Sequence, residues 1–252
     1  MLNVKYRKLD NFTNIDIFKQ YYLDIQGGID GYYEKTILDA DIYEVVDKST
    51  MAYFSIHCDR GLTSLVALKA YAELYIDIFD FVIKLPLFDK ILFTENDSNF
   101  LECVQNHNIN YEVQAYNFDV KEQIESSIGL IPVDKFSSDL AKLYFNEFIV
   151  YNNIDLDSIE SFIYKKGNEA ISLGAIEPLK LNANRYCISM IVNEKYRQKG
   201  YGCETVKFLI QYLQSKNREV NARCYIKNEI SKNTLLKSGM YICNKLFKAE
   251  DL

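Results

Sequence analysis

Residues 191–213 read IVNEKYRQKGYGCETVKFLIQYL, and this stretch decides how the sequence is interpreted. An apolar strand that ends near Val192 leads into a segment with cationic and amide side chains, with glycines at positions 200 and 202. A glycine costs a helix or a strand about 0.5–1 kcal/mol relative to alanine. Two glycines at the start of a predicted helix therefore need a physical reason.

A glycine-containing turn between a buried strand and a helix favours the binding of an anion. The first N–H groups of a helix have no acceptor within the helix, and the helix dipole places positive charge there. Glycine removes the β-carbons that would keep a phosphate away from these amides. Arg197 and Lys199 add full positive charges at the same point. The stretch therefore predicts a site for a phosphorylated ligand.

The composition indicates a globular protein with two domains. The chain has 252 residues, 48% hydrophobic residues and only three prolines. No apolar run reaches the ~18 residues of a membrane-spanning helix. The N-terminal stretch MLNVKYRKLDNF has no apolar core of the kind found in signal peptides, which predicts a cytoplasmic protein without membrane association. Six scattered cysteines without a Cys-x-x-Cys pair, together with two histidines, favour no metal site.

The charge is distributed unevenly along the chain. The net charge is −6, but residues 185–248 hold 13 Lys/Arg and 4 Asp/Glu, so this segment carries +9 and the remainder −15. One explanation is that the cations cover solvated faces, but this does not predict their clustering around the two glycines. A polyanionic ligand explains the clustering. Nucleic acid is not expected, since the acidic remainder would repel a long phosphate backbone.

Two series of predicted strands and helices follow each other in the same order, about 130 residues apart. The second series includes a predicted hairpin that turns at Gly167 and Asn168, followed by the strand RYCISMIV. It continues with the amphipathic helix ETVKFLIQYLQ. The apolar face of that helix is formed by Val206, Leu209, Ile210 and Leu213. The repetition predicts a tandem of two α/β units, residues 1–125 and 126–252.

The motif Arg197-x-x-Gly200-x-Gly202, five residues after Val192, is neither a dinucleotide-binding fingerprint nor a phosphate loop of the Gly-x-x-x-x-Gly-Lys-Ser/Thr type. It resembles the coenzyme A pyrophosphate loop of the GCN5-related N-acetyltransferases (GNAT superfamily). A second signature of that family, on the helix that follows the next strand, is matched in the correct order by Asn228, Ser231, Lys237, Gly239 and Met240.

The resemblance implies a mixed, mainly antiparallel sheet flanked by helices in residues 126–252, with residues 1–125 a degenerate copy. It implies acetyl-CoA as co-substrate and no metal. Strand residues 190–192 are expected to diverge from their neighbour and bind the pantetheine arm, and main-chain N–H groups of 198–203 to bind the pyrophosphate. The residues implied to contact the cofactor are Met190, Ile191, Val192, Arg197, Gln198, Lys199, Gly200, Tyr201, Gly202, Cys203 and Asn228. Asn228 also fits the role of a helix N-cap, and the two roles are compatible.

At the catalytic positions the sequence departs from the family that it resembles. Many relatives have a tyrosine seven residues after the asparagine, where this chain has Leu235. Tyr225 and Tyr241 are possible replacements for that acid, although packing explains a tyrosine equally well in a chain with 20 of them.

The positions where relatives carry a glutamate base fall at Tyr186 and Arg223, and neither is a carboxylate. Glu177 is close enough in sequence to the predicted site to reach it, but it also fits an exposed turn beyond its strand. No catalytic acid or base is therefore assigned.

The leading hypothesis is an N-acyltransferase that moves an acetyl group from acetyl-CoA to a primary amine of a small acceptor by direct attack on the thioester. Positioning alone contributes about 7–11 kcal/mol to such reactions. The alternatives are a non-catalytic acyl-CoA-binding or sensing protein and a structural module. The first half has no glycine–arginine loop in the corresponding stretch, LTSLVALKAYAELY, so it is expected not to bind coenzyme A and to close one side of the acceptor pocket.

Overall fold

The computed structural model describes residues 4–10, 16–26 and 29–250, and the chain divides into two compact units. The first comprises Met1–Asn117 and Asn244–Leu252, and the second Phe118–Cys243. Residues 118–125, which the sequence-based division assigns to the first domain, lie in the second compact unit. Residues 244–250, which that division assigns to the second domain, lie in the first compact unit.

The first unit contains a mixed sheet and helices, in the chain order expected for one α/β unit. Its strands are β1 (Lys5–Lys8), β2 (Asp41–Val46), β3 (Thr50–His57), β4 (Gly61–Ala67), β5 (Lys90–Thr94) and the first part of β6 (Glu112–Val120). Its helices are α1 (Asp16–Asp24), α2 (Gly31–Leu38), α3 (Tyr75–Val82) and α4 (Ser98–Asn106), with a 3₁₀ helix at Lys69–Leu74.

In this sheet β1, β2, β3 and β4 pair antiparallel in sequence order, and β4 pairs with β5 in parallel. Residues 246–250 at the end of the chain pair antiparallel with β5. The core between the sheet and its helices is rich in phenylalanine, and Phe93 stacks on Phe100 with ring centroids 5.4 Å apart. Aromatic side chains bury large apolar areas, so a small unit of this kind obtains much of its stability from them.

The second unit repeats this order of elements. Its strands are β7 (Ile131–Pro132), β8 (Glu160–Lys166), β9 (Glu169–Pro178), β10 (Arg185–Val192), β11 (Glu219–Tyr225) and the start of β12 (Met240–Glu250). Its helices are α5 (Lys135–Tyr151), α6 (Tyr201–Ser215) and α7 (Glu229–Lys237), with a 3₁₀ helix at Glu194–Tyr196. The strand order is β7-β8-β9-β10-β11, with the end of β6 beside β11. The pairs β7–β8, β8–β9 and β9–β10 are antiparallel, and β10 pairs with β11 in parallel.

The predicted hairpin and the predicted amphipathic helix are both confirmed. The hairpin of β8 and β9 turns at Gly167, whose φ is +59°. Each of the four apolar side chains predicted for one face of α6 is at most 1% exposed. Burial of this face fixes α6 against the sheet, so the start of the helix lies at the end of β10. The fold class, a mixed and mainly antiparallel sheet with flanking helices, is also confirmed. No helix among the described residues has the length and apolarity to cross a membrane.

Candidate functional site

The strands β10 and β11 separate after a short paired stretch. They pair in parallel from Arg185 with Glu219 to Cys187 with Asn221, and no further pair is found between them in residues 185–225. On its other edge, β10 stays paired with β9 as far as Val192. The last five residues of β10 therefore have one satisfied edge and one edge that faces the divergence.

The hydrogen-bond register shows which residues face the divergence. The N–H of Asn193 donates to the carbonyl of Ile171 at 2.9 Å, and the N–H of Leu179 donates to the carbonyl of Arg185 at 2.9 Å. Since successive residues of a strand direct their backbone groups to opposite edges, odd-numbered residues of β10 face β9 and even-numbered ones face β11. Met190 thus directs its N–H and carbonyl into the divergence and Val192 its N–H, since the Val192 carbonyl accepts from Nε of Arg197, whereas the backbone of Ile191 faces β9.

The turn after β10 leaves a series of backbone N–H groups without protein partners. Gln198 and Gly200 both have a left-handed backbone, with φ of +60° and +85°. The first N–H of the helix that bonds to the protein belongs to Glu204, which donates to the carbonyl of Gly200 at 3.1 Å. For the N–H groups of residues 198–203 no acceptor is found within the described part of the chain. A run of free N–H groups at a helix N-terminus favours the binding of an anion.

The two glycines of the loop have different structural reasons. A β-carbon on Gly200 would meet nothing within 4 Å, so the residue is fixed by its backbone conformation and borders open space. A β-carbon on Gly202 would lie 3.2 Å from Cε of Met190 and 3.3 Å from Cγ2 of Thr234. Gly202 therefore permits α6 to pack closely against β10 and α7. Only at Gly200 does the structure support the expected reason, namely the approach of a ligand.

Two cations border the loop and are held by main-chain carbonyl groups. The Nε of Arg197 donates to the carbonyl of Val192 at 3.3 Å, and its guanidinium forms an exposed ion pair with Glu194 at 3.0 Å. The Nζ of Lys199 donates to the carbonyl of Lys195 at 2.9 Å. Both side chains are exposed. They surround the free N–H groups with positive charge while remaining accessible to a ligand.

Tyr201 and Cys203 connect the start of α6 to neighbouring elements. The hydroxyl of Tyr201 accepts a hydrogen bond of 2.6 Å from Lys166, a residue of the β8–β9 hairpin. This bond raises the pKa of the Lys166 ammonium. The thiol of Cys203 lies 3.7 Å from the carbonyl of Thr234 in α7. Sequence reasoning did not single out Lys166, because only the tertiary fold brings the hairpin to the loop.

Asn228 is the N-cap of α7, as one of its two predicted roles requires. Its Oδ1 accepts a hydrogen bond of 3.0 Å from the N–H of Ser231. The residue is exposed, and no acceptor for its Nδ2 is found among the described residues. The amide nitrogen is therefore available to a ligand while the oxygen caps the helix.

The positions considered for a catalytic acid differ in their exposure. Leu235 is 5% exposed, so its side chain belongs to the packed interior rather than to an open cleft. Tyr225 is exposed and its carbonyl accepts from the N–H of Asn228 at 2.9 Å. Burial raises the pKa of Tyr241, and the Lys121 ammonium lies 4.5 Å from the centre of its ring.

Among the positions considered for a base, Glu177 differs from expectation. β9 extends to Pro178, so Glu177 lies within the strand rather than in an exposed turn, and it is half-buried. Its partner across the strands is Cys187. The expectation ended the strand at Ile176, whereas β9 continues for two more residues. The ring of Tyr186 is covered by the guanidinium of Arg218 at 5.6 Å.

A buried amide holds the strands together at the last pair before they separate. The thiol of Cys187 donates to Oδ1 of Asn221 at 3.1 Å, and Nδ2 of Asn221 donates to the carbonyl of Phe118 in β6 at 3.4 Å. Asn221 is 1% exposed. These bonds fix the point at which the divergence begins.

Comparison with known proteins places the chain in a family. The family model described as "Acetyltransferase (GNAT) domain" matches residues 11–121, and the model described as "Acetyltransferase (GNAT) family" matches residues 131–240. Together the two models cover most of the chain, once in each half. The chain belongs to the GNAT superfamily and carries two GNAT domains in tandem.

Solved structures show the same fold at low sequence identity. An acetyltransferase of the GNAT family from Colwellia psychrerythraea is 11% identical, with a TM-score of 0.83, and the alignment covers 98% of this chain and 100% of that one. A tandem GNAT protein from the clavulanic acid biosynthesis pathway is 7% identical, with a TM-score of 0.63 and 99% of each chain covered. A GCN5-related N-acetyltransferase from Sphaerobacter thermophilus is 11% identical, with a TM-score of 0.59, covering 98% and 95%. No curated protein matches the sequence significantly.

The GNAT resemblance predicted from the two motifs and the tandem predicted from the repeated order of elements are thereby confirmed, and membership of this family supports an acetyltransferase function. No group of three or more His, Cys, Asp or Glu side chains within the described ranges is placed to hold a metal ion.

Proposed function

We propose that the second unit is an N-acetyltransferase that transfers an acetyl group from acetyl-CoA to a primary amine of a small acceptor. The single observation that supports this most directly is the run of unbonded N–H groups at residues 198–203, at the N-terminus of α6 and next to the open edge of β10. In this proposal the N–H groups bind the pyrophosphate, with Arg197 and Lys199 beside it. The backbone of Met190 and Val192 binds the pantetheine arm as an added strand would.

The remaining cofactor contacts follow from the same placement. Gln198, Tyr201 and Cys203 contribute their main-chain N–H groups to the pyrophosphate site, and the side-chain amide nitrogen of Asn228 faces the cofactor. Ile191 contributes through its side chain, which packs against the core beneath the site, since its backbone faces β9. Gly200 and Gly202 provide the backbone conformation and the close packing described above.

The reaction is direct attack of the amine on the thioester. The amine lone pair forms a C–N bond with the carbonyl carbon, and the C–S bond breaks as coenzyme A leaves as the thiolate. The proton of the attacking nitrogen passes to water, and the thiolate takes a proton from water in return, so no side chain is assigned as acid or base. The protein contributes by positioning the two reactants and by the N–H groups at the open strand edge, which stabilise the developing oxyanion.

The compartment and the acceptor are part of the same proposal. All six cysteines are free thiols, as expected in a reducing cytoplasm. The −15 carried outside residues 185–248 favours a cationic acceptor, such as a polyamine or an aminoglycoside-like amine.

Release of free thiol from acetyl-CoA across a panel of primary amines tests the proposal. The expected result is turnover with at least one amine, which in the Gly200→Ala variant requires about 10- to 100-fold more acetyl-CoA. Saturable binding of acetyl-CoA without turnover of any amine would instead support the sensing protein. Absence of any binding would reject both functions.

A further inference from the structure

The first unit contains the same divergence of parallel strands as the second. β4 and β5 pair only from Gly61 with Lys90 to Leu62 with Ile91, although β4 continues to Ala67 and β5 to Thr94. The pair that would follow in register is Thr63 with Leu92. In the second unit the corresponding position lies just after Cys187 and Asn221, at the start of the open edge of β10.

In the first unit this position is occupied by the side chain of Tyr33. Its hydroxyl donates to the carbonyl of Thr63 at 2.7 Å and lies 3.3 Å from the carbonyl of Leu92. The phenol thus bridges the two backbone groups that the divergence would otherwise leave unpaired. Tyr33 is 0% exposed, so this bridge lies in the interior of the unit. An unpaired backbone carbonyl in such a site is costly, which explains why the gap needs an occupant.

The position of Tyr33 is fixed by its own helix and by a buried neighbour. Asp30 caps α2, and its Oδ1 accepts the N–H of Tyr33 at 2.9 Å. Tyr21 hydrogen-bonds with Tyr33, and its hydroxyl is 2.7 Å from Oδ2 of Asp97. Burial raises the pKa of both phenols, so they remain neutral hydrogen-bond donors.

Asp97 shows how far the two units correspond. It caps α4 through the N–H of Phe100 at 3.0 Å, just as Asn228 caps α7 in the second unit. In both units the capping residue follows the second of the diverging strands. The exposed Asn228 leaves its amide nitrogen to a ligand, whereas Asp97 is 4% exposed and bonds to a tyrosine of its own unit.

The start of α3 also lacks the run of free N–H groups. The segment before it contains no glycine and forms the 3₁₀ helix Lys69–Leu74. The N–H of Leu68 donates to Met51 at 2.8 Å, and the N–H of Tyr71 donates to Leu68 at 2.7 Å. The first unit therefore differs from the second in two ways. A tyrosine occupies the gap between its diverging strands, and the backbone before α3 is already hydrogen-bonded.

We infer that the first unit is a closed copy of the acyl-donor site, in which the Tyr33 phenol acts as a built-in ligand of the diverging strands β4 and β5. An acyl-CoA arm cannot enter while the phenol is in place. Removal of the side chain creates a buried site for a phenol-sized molecule with one hydroxyl donor. That the copied site takes an acyl donor rests on the proposed function, whereas the occupation of the divergence by Tyr33 rests on the hydrogen bonds of the first unit alone.

Chemical complementation tests the inference. In the Tyr33→Ala variant, 4-methylphenol, which has the shape of the missing side chain, is expected to raise the unfolding temperature by several degrees, because an enclosed cavity of matching shape binds such a molecule. The matched control is Tyr33→Phe, in which the ring still fills the gap, and neither it nor the wild-type protein should be stabilised. Equal responses of the three proteins would overturn the inference.

A second measurement does not require the alanine variant to fold. Tyr75, also buried, donates its hydroxyl to one β4 carbonyl, that of Leu65, at 3.2 Å. Tyr33→Phe should therefore lower the urea midpoint more than Tyr75→Phe, since it removes the donor shared by two backbone carbonyls. A decrease for Tyr33→Phe no larger than for Tyr75→Phe would show that the hydroxyl does not bridge the strands.

Discussion

Substitution of Gly200 by alanine tests whether the loop at residues 197–203 binds a diphosphate through its main chain. Gly200 has φ of +85° and ψ of −11°, a left-handed conformation that costs an L-residue about 1–2 kcal/mol. A β-carbon there would contact no protein atom within 4 Å, so the variant is expected to fold with this conformational cost alone. The new methyl group extends into the open space that the phosphate is proposed to approach.

The expected loss of affinity follows from the hydrogen bonds that the methyl group displaces. Hydrogen bonds to a charged group contribute about 1.5–3 kcal/mol each. If the phosphate withdraws from one N–H group, affinity for coenzyme A falls about 10- to 100-fold, since 1.4 kcal/mol corresponds to a factor of ten. Acetyl-pantetheine, which has no diphosphate, should bind the variant and the wild-type protein equally.

Gly167→Ala is the matched control. Gly167 is also left-handed, with φ of +59°, and a β-carbon there would likewise meet nothing within 4 Å, but it lies in the β8–β9 hairpin turn. Calorimetric titration with coenzyme A and thermal unfolding should show similar losses of stability in the two variants and a loss of affinity only in Gly200→Ala. An unchanged affinity in Gly200→Ala, or an equal loss for acetyl-pantetheine, would refute the diphosphate assignment.

Three further predictions concern stability. Burial, opposed by hydrogen bonds from Tyr21 and Phe100, raises the pKa of Asp97 to about 6 from 3.8. Because the folded state binds this proton more tightly than the unfolded state, the free energy of unfolding should decrease by on the order of 2–3 kcal/mol as the pH rises from about 4 to above 6. Urea titrations of Asp97→Asn, which retains a helix cap, should lack this pH-dependent component. Burial opposes ionisation of Glu204, but hydrogen bonds from Ser127 and Lys207 lower its pKa to about 2. Glu204→Gln should therefore lower the unfolding temperature above pH 4.5, and the difference from the wild-type protein should disappear as the pH falls to about 2. A difference in unfolding temperature that is the same at every pH would contradict this prediction. Leu235→Tyr should destabilise the protein by about 1–3 kcal/mol through overpacking, measured by chemical denaturation, and an unchanged stability would mean that the phenol finds an open cleft.

The sequence predicts the second unit well where local rules determine the structure. The period of Val206, Leu209, Ile210 and Leu213 predicts the buried face of α6, because helical geometry places these positions on one side. Glycine at position 200 predicts a left-handed backbone for the same local reason. The loop and its helix are therefore accessible to sequence reasoning.

Other features of the site depend on tertiary packing and leave no local signal. Gly202 is explained by the side chains of Met190 and Thr234, which lie in other elements. Asn221 looks like any polar strand residue until its contacts with Cys187 and the carbonyl of Phe118 are known. The bridging role of Tyr33 is likewise invisible in a chain with 20 tyrosines, because its acceptors lie on two different strands.

The two divergences show how one backbone arrangement gives opposite outcomes. Parallel strands that separate after a few pairs expose backbone groups that need a partner, which is water, a ligand or a side chain. At the first divergence the Tyr33 hydroxyl is the partner of the Thr63 and Leu92 carbonyls. At the second, the backbone groups of Met190 and the N–H of Val192 face the divergence, and the N–H groups of residues 198–203 have no acceptor among the described residues. A site can remain unsatisfied by the protein only where a ligand or solvent reaches it, so the open edge of β10, and not the divergence at Tyr33, is where we propose that the acyl donor binds.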